Sequence, residues 1–334
     1  NQTMIAQPVK IEYRPDLPIF ASERFLKAVG DEYGWLGGFD RAGNLRCILP
    51  YTIISKAMLR MVRFRVETIP IRRELEIEEE KSFLNSAMIF FRKTGMDLVA
   101  PATNNAIFRT FPDGADAAPY GSYIIDLRQP ENDLWYNMQK ILRQNIKSAQ
   151  NNGVIIKSGI NYTPSAFLLI RDTFKRSNLP FMNLTAFKRY IEGLGENGIL
   201  MAAELQGAAQ SYALFAYSDY CAYAIYSGSI INQQQGSNKL LLWEAIRLFK
   251  NLGVQLFDFY GARVNPEAGS KQAELAAFKK RFGAQFRVGY IWKCSLNPSK
   301  YKLYNFLRRL YSGGDLVDAE RHKLPEFTAE NTRE

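Results

Sequence analysis

One passage occurs twice in this chain. EKSFLNSAMIFFRKTGMDLV at residues 80–99 superposes without a gap on NKLLLWEAIRLFKNLGVQLF at 238–257, setting Lys81 on Lys239, Ala87 on Ala245, Phe91 on Phe249 and Gly95 on Gly253. Each copy reads as an amphipathic helix closed by a glycine suited to a left-handed cap, followed at once by an apolar residue, Met96 or Val254, that opens a buried strand. Repetition of this kind constrains the fold more than any single motif. With 334 residues, about twice a ~150-residue domain, the chain is long enough for one α/β unit used twice.

The segments ahead of each copy support duplication. In the first half, apolar runs at 35–39, 45–53 and 61–69, the first two separated by the turn DRAGN, lead into a helix at 76–94 and a strand at 96–99. In the second half, strands at 199–204, 208–217 and 220–227, joined by LQG and SD, lead into a helix at 236–252 and a strand at 254–259. Between them FPDGADAAPYGS, residues 111–122, is rich in Pro, Gly and Ala and reads as a linker. The expected organisation is therefore a first domain over 1–120, a second over 121–296, and, over 297–334, a basic amphipathic helix whose apolar face packs back on the first domain, followed by a flexible tail. In that helix Leu303, Phe306, Leu307 and Leu310 take one face and Lys302, Arg308 and Arg309 the other.

Composition removes several chemistries. The single histidine, His322, lies in a polar tail segment, so a Ser-His-Asp triad, a Cys-His pair or a histidine-rich zinc site is not expected. Cys47, Cys221 and Cys294 are odd in number and widely spaced, which indicates neither a disulfide framework nor a thiolate metal site. No apolar stretch of ~18 residues and no signal-peptide core appears, so a soluble, cytoplasmic protein is expected, with contact at the inner membrane face as an extension. The formal charge of +10 favours phosphate-rich partners.

Two segments carry candidate chemistry. NQQQGSNK places Gln234, Gln235, Gly236, Ser237 and Lys239 at a glycine-bearing helix start, where backbone N–H groups and the helix dipole suit a pyrophosphate; ordinary capping explains the same residues. On the strand that follows, Asp258 interrupts the apolar row of Val254 and Leu256 at the C-terminal end, where α/β sheets gather their sites; a cap or an ion pair with Arg263 is the rival reading. Lys279, Lys280 and Arg281 end the next helix, where cations also complement its dipole.

The segments RQNIKSAQNNGV (143–154), TFKRSNLP (173–180), KLLLWEAIRLFKNLGVQLFDFYG (239–261) and FKKRFGAQF (278–286) together resemble the FemAB family of peptidoglycan-bridge aminoacyltransferases, relatives of the GNAT acyltransferases. The resemblance implies two tandem GNAT-like domains, α/β in class, with mixed and mainly antiparallel sheets flanked by helices. It implies transfer of an acyl or aminoacyl group to an amine of a cell-envelope precursor, from aminoacyl-tRNA or acyl-CoA as co-substrate, with no tightly bound cofactor. It further implies that Lys279, within a Phe278-Lys279 pair, meets the reacting carbonyl and that Arg176 meets acceptor phosphate. Asp258 or Glu204 would accept a proton, and Tyr226, Tyr260 and Arg263 would contact substrate. Asn238 stands where the GNAT pyrophosphate loop has a small residue, which weighs against coenzyme A. Two rivals remain from the sequence: an acyl-CoA-dependent N-acyltransferase acting on a sugar or lipid-linked amine, and a polyanion-binding protein without turnover.

Overall fold

The computed structural model describes residues 3–56 and 58–331. Its first half runs β1 (Ile5–Val9), α1 (Glu23–Val29), β2 (Glu32–Phe39), β3 (Leu45–Lys56), β4 (Leu59–Phe64), the short β5 (Ile69–Pro70), α2 (Ile77–Lys93) and β6 (Leu98–Val99). The chain continues through β7 (Asp116–Asp126), α3 (Glu131–Asn137), α4 (Lys140–Asn151), β8 (Val154–Ser158), α5 (Thr163–Arg176) and α6 (Leu184–Leu194). The second meander follows: β9 (Gly198–Leu205), β10 (Ala208–Tyr217), β11 (Cys221–Ser229), α7 (Ser237–Asn251) and β12 (Leu256–Asp258). It closes with β13 (Ala262–Arg263), α8 (Lys271–Lys280), β14 (Gln285–Ser295), α9 (Pro298–Ser312), α10 (Leu316–Glu320) and α11 (Leu324–Asn331).

The duplication is present in three dimensions. Among the described residues one sheet runs in the order β1-β2-β3-β4-β6-β14-β7-β12-β11-β10-β9-β8, which reads alike from either end. In each half an antiparallel meander passes through a helix to a strand that returns parallel to the last one, β4 to β6 and β11 to β12. The two helices do equivalent work. Phe83, Leu84, Ala87 and Phe91 of α2 bury against Leu49, Val62 and Phe64, while Leu241, Ala245, Ile246 and Phe249 of α7 bury against Ala213, Phe215 and Phe257. The fold is thus two GNAT-like halves joined edge to edge, as the resemblance implies.

The halves are not separable along the sequence. β7 follows the first half but pairs with β12 of the second, and β14 follows the second but pairs with β6 of the first. These exchanged strands pair with each other from Asp116–Lys293 to Ile124–Gln285. From Asp116 on, the stretch expected to be a linker is therefore a buried central strand, and position 120 falls inside it. Its small residues serve packing: a Cβ on Gly121 would lie 2.5 Å from the Arg287 carbonyl oxygen, so only glycine lets the two strands approach there. A shared core fills the space between the halves, joining Phe20, Phe25 and Trp35 to Phe187, Tyr190, Leu214 and Tyr223.

The C-terminal segment also departs from expectation. In place of a flexible tail, residues 316–331 form α10 and α11, and Val317 is fully buried against Ile107, Ala118, Tyr120 and Ile291. The Lys293 ammonium on β14, itself fully buried, pairs with Asp315 at 2.9 Å and Asp318 at 2.8 Å and donates to Asn305 Oδ1 at 3.0 Å. A charge so deep in the sheet requires those partners, and they pin the segment down.

Candidate active site

β11 and β12 run side by side only from Cys221–Leu256 to Tyr223–Asp258. β11 then continues to Ser229 beside β10, whereas β12 ends, so pairing between the two strands stops at Asp258, a notch in the hydrogen-bond ladder between Tyr226 and the turn at 259–261. The turn is tightly specified. Asp258 is buried; it accepts a hydrogen bond from the Ser122 hydroxyl of β7 and another from the Tyr260 backbone N–H at 2.7 Å. Ser122 Oγ in turn accepts from the Gly261 N–H at 2.9 Å. Tyr260 and Gly261 both take positive φ, 62° and 84°. A side chain at 261 would strike the Asn104 carbonyl oxygen at 2.6 Å, which brings a loop of the first half onto the turn.

Lys279 reaches this turn from α8. Its ammonium donates to the Gly261 carbonyl oxygen, and burial lowers its pKa to about 8, with the nearby Asp258 carboxylate opposing that shift. Burial raises the pKa of Asp258, against the hydrogen bond from Ser122. Phe278 packs on Phe282 in the core beneath, fixing the end of the helix. Lys279 and Asp258, proposed from sequence on separate elements, are thus brought together. The ammonium has three N–H groups, and the Gly261 carbonyl accepts from one.

The opposite wall comes from the first half. Arg63 and Arg65, two apart on and just beyond β4, lie within electrostatic reach of Tyr226 and Tyr260, and Arg65 also of Tyr190. Tyr190 and Tyr260 share a side-chain hydrogen bond, and burial holds both phenols well above their ordinary pKa, hence neutral. Arg65 donates to Thr52 Oγ1 at 3.0 Å and the Val29 carbonyl at 2.9 Å; Arg63 donates to the Pro101 carbonyl at 3.2 Å. Neither forms an ion pair with a carboxylate among the described residues. Burial lowers the pKa of Arg65 to about 10, with the Arg63 charge adding to the effect. Two adjacent guanidiniums that meet only neutral oxygens make a site for an anionic group. The sequence carried this signal in LRMVRFRV, where Arg63 and Arg65 interrupt an apolar strand at period two and so share a face.

Other residues singled out from sequence lie elsewhere. Glu204 accepts from Tyr162 Oη and pairs with Lys157, both at 2.7 Å, and these partners lower its pKa. The pairing row from Asp258 crosses Tyr223 and Ala216 to Gly198 on β9, so Glu204 lies three strands over and about 20 Å further along at ~3.3 Å per residue. It is outside the notch and is no proton acceptor there. Arg263 pairs with Glu320 at 2.9 Å, leaving Asp258 without that partner. Arg176 donates to the Ser229 carbonyl at 2.6 Å and to Thr173 Oγ1 at 2.9 Å, tying α5 to the end of β11.

The glycine of the expected phosphate loop packs against α4. Gly236 has φ 87°, and a Cβ there would lie 2.0 Å from the Asn145 carbonyl oxygen, so α4 takes up the close approach. Gln235 donates to Asn145 Oδ1 at 2.9 Å, the Gln234 N–H to Gln210 Oε1 at 2.9 Å, and the buried Ser237 hydroxyl to the Gln234 carbonyl at 2.8 Å. Lys239 is half-buried, and burial, followed by the Arg281 charge, lowers its pKa. The outer face of α4 is different: Trp135, Tyr136, Lys140, Arg143, Gln144 and Lys147 line a groove of about 320 Å³. Arg143 lies over the Tyr136 ring at 5.2 Å and Lys147 over Trp135 at 5.9 Å. The Gln139 N–H, at the start of α4, donates to the Arg281 carbonyl at 2.9 Å, which joins this surface to the end of α8 that bears Lys279.

No family model and no curated protein matches the chain. Solved structures do. FemX superposes with a TM-score of 0.61 at 13% identity, over 86% of this chain and 93% of that one. L-PGS from Bacillus licheniformis gives 0.52 at 11%, over 84% and 90%. The C-terminal domain of a lysylphosphatidylglycerol synthetase candidate from Agrobacterium fabrum gives 0.51 at 13%, over 88% and 92%. At these identities the likeness is one of fold, and the chain has the FemAB-like, doubled GNAT architecture.

Proposed function

We propose that the protein is an aminoacyltransferase that moves an aminoacyl group from the ester of a charged tRNA to an amine of an anionic cell-envelope precursor. The observation that carries this reading is the Lys279 ammonium, held by the Gly261 carbonyl beside the buried Asp258 where β11 and β12 part. The acceptor amine attacks the ester carbonyl carbon; a C–N bond forms, the C–O bond to the ribose breaks, and the leaving oxygen takes up the proton released by the amine. Negative charge develops on the carbonyl oxygen, where the free N–H groups of Lys279 meet it. One such donor is worth on the order of 3 kcal/mol, and alignment of the two substrates supplies several more. Asp258 acts through position and charge: it holds the turn that carries Gly261 and keeps Lys279 protonated near neutrality.

Three features support the choice of substrates. The Arg63–Arg65 pair suits a phosphate or carboxylate of the acceptor. The loop at Gly236 packs against α4, which disfavours a coenzyme A pyrophosphate there. The cation- and aromatic-lined groove on α4 suits a single-stranded polyanion, whose phosphates meet the cations and whose bases stack. The envelope acceptor is the reading that the likeness to FemX and the lysylphosphatidylglycerol synthetase fold favours. The test is transfer of radiolabel from charged tRNA to a soluble amine-bearing precursor: wild-type protein transfers label and Lys279→Met does not. Label passing from acyl-CoA alone would overturn the reading.

A further inference from the structure

The C-terminal helix α9 is held to the body by one side. Tyr304 is buried, Tyr301 and Tyr304 pack with Leu59, Leu98 and Ala100, Asn305 accepts from Lys293, and Lys300 pairs with Asp97 at 3.0 Å. At 100° per residue, Leu303, Phe306, Leu307 and Leu310 form a strip ~100° wide on the side facing away from those contacts. The strip is open to solvent, with Phe306 58% and Leu310 65% exposed, and Tyr311 extends it at 86%. Lys302 and Arg309 follow one border, Arg308 falls on the anchored side between Tyr301 and Tyr304, and none of the three forms an ion pair among the described residues. Between Pro298 and Ser312 there is no acidic residue. At the other end of the ridge the Lys300 ammonium donates to the Met58 carbonyl at 3.1 Å, and the Met58 side chain, 86% exposed at the hairpin between β3 and β4, adds a further apolar tip beside Lys56.

We propose that α9 and the Met58 hairpin dock the protein peripherally on an anionic lipid bilayer, the apolar strip entering the acyl boundary and Lys302 and Arg309 meeting lipid phosphates. The charge pattern selects this occupant. A second copy joined by a two-fold axis through α9 would set the same unpaired cations against one another. A nucleic acid would satisfy those cations but leave Phe306 and Leu310 in water. A bilayer with anionic headgroups satisfies both rows at once, as interfacial helices with basic borders do. The helix is already folded and anchored through Lys293 and Asp97, so docking requires no ordering of the chain. The proposal is independent of the reaction assigned to the notch.

The test is co-sedimentation of the full chain with vesicles of phosphatidylcholine alone and of phosphatidylcholine with about one part in three phosphatidylglycerol. Each cation near an anionic surface contributes about 1 kcal/mol, so partitioning onto the anionic vesicles should exceed that onto neutral ones at least ~10-fold and weaken in high salt. Phe306→Ser with Leu310→Ser should lower it ~10-fold or more while leaving the circular dichroism spectrum and melting temperature unchanged. Lys302→Gln with Arg309→Gln should remove the preference for phosphatidylglycerol. Failure to sediment, equal binding to both vesicle types, or a concentration-dependent doubling of mass abolished by the serine pair would each overturn the proposal. So would RNA binding that depends on Lys302 and Arg309 in a protein that ignores vesicles.

Discussion

Ser122 and Asp258, 136 positions apart in the chain, meet through a hydrogen bond from the serine hydroxyl to the carboxylate. The serine comes from the exchanged strand β7 and the aspartate from the end of β12, so the turn that receives Lys279 is built only when these two strands have paired. Ser122→Ala deprives the buried Asp258 of a donor and the Gly261 N–H of its acceptor. A loss of about 2 kcal/mol in stability is expected, with kcat falling more than KM rises. Urea unfolding and steady-state kinetics check both.

Lys279→Met should abolish transfer, by about 10²–10³-fold in kcat, yet leave a folded protein that is at least as stable near neutral pH. The sign follows from linkage. The pKa of Lys279 is lowered to about 8 by burial, so above that pH and up to the ordinary lysine range the unfolded chain binds more protons than the folded one. Wild-type stability therefore gains a rising contribution across that window, and below it the cost of the buried ammonium is present in full. The methionine variant lacks this slope, which denaturant titrations on either side of pH 8 measure.

Asp258→Asn keeps an oxygen that can accept from Ser122 and from the Tyr260 N–H but removes the charge that supports the ammonium. Without it the pKa of Lys279 moves lower still, and the alkaline fall in kcat/KM shifts to lower pH. A pH profile that keeps its alkaline limb in place would show that the carboxylate does not act on Lys279.

Arg63→Gln is expected to raise KM for an anionic acceptor by about 10–100-fold with kcat little changed, because it removes binding and leaves the chemistry alone. Since Arg63 has no carboxylate partner among the described residues, thermal stability should hold or rise slightly. A neutral amine acceptor should show no such penalty.

Lys293→Met leaves Asp315 and Asp318 beside a buried methyl group. A cost of about 3–5 kcal/mol is expected, concentrated in loss of amide-exchange protection over α10.

The doubled helix and its glycine cap were legible because they are local: spacing along residues 80–99 and 238–257 carries the helical period and the stop. Asp258 was legible for the same reason, as a charge in an apolar row. The exchange of β7 and β14 was not, because strand pairing across the molecule leaves no periodic trace, and the Ala, Pro and Gly of 115–121 that allow close packing are the residues that also build linkers. Glu204 was misjudged because its partners, Lys157 and Tyr162, belong to a strand and a turn that the apolar pattern did not reveal. Arg63 and Arg65 were overlooked inside an apolar run, although two cations at strand spacing in such a run call for an explanation. The C-terminal helices were taken for a mobile tail because the lysine that fixes them lies about twenty residues earlier, on β14.

The palindromic strand order sets a timetable for biosynthesis. The free edge of β6 is completed only by Cys294 and Ser295, so the half that leaves the ribosome first is the last to close. Until translation has passed that point the nascent chain presents an unmatched strand edge, the kind of surface that holdase chaperones cover. A premature stop just upstream would release a polypeptide whose second-half strands are already paired while β6 keeps an open edge.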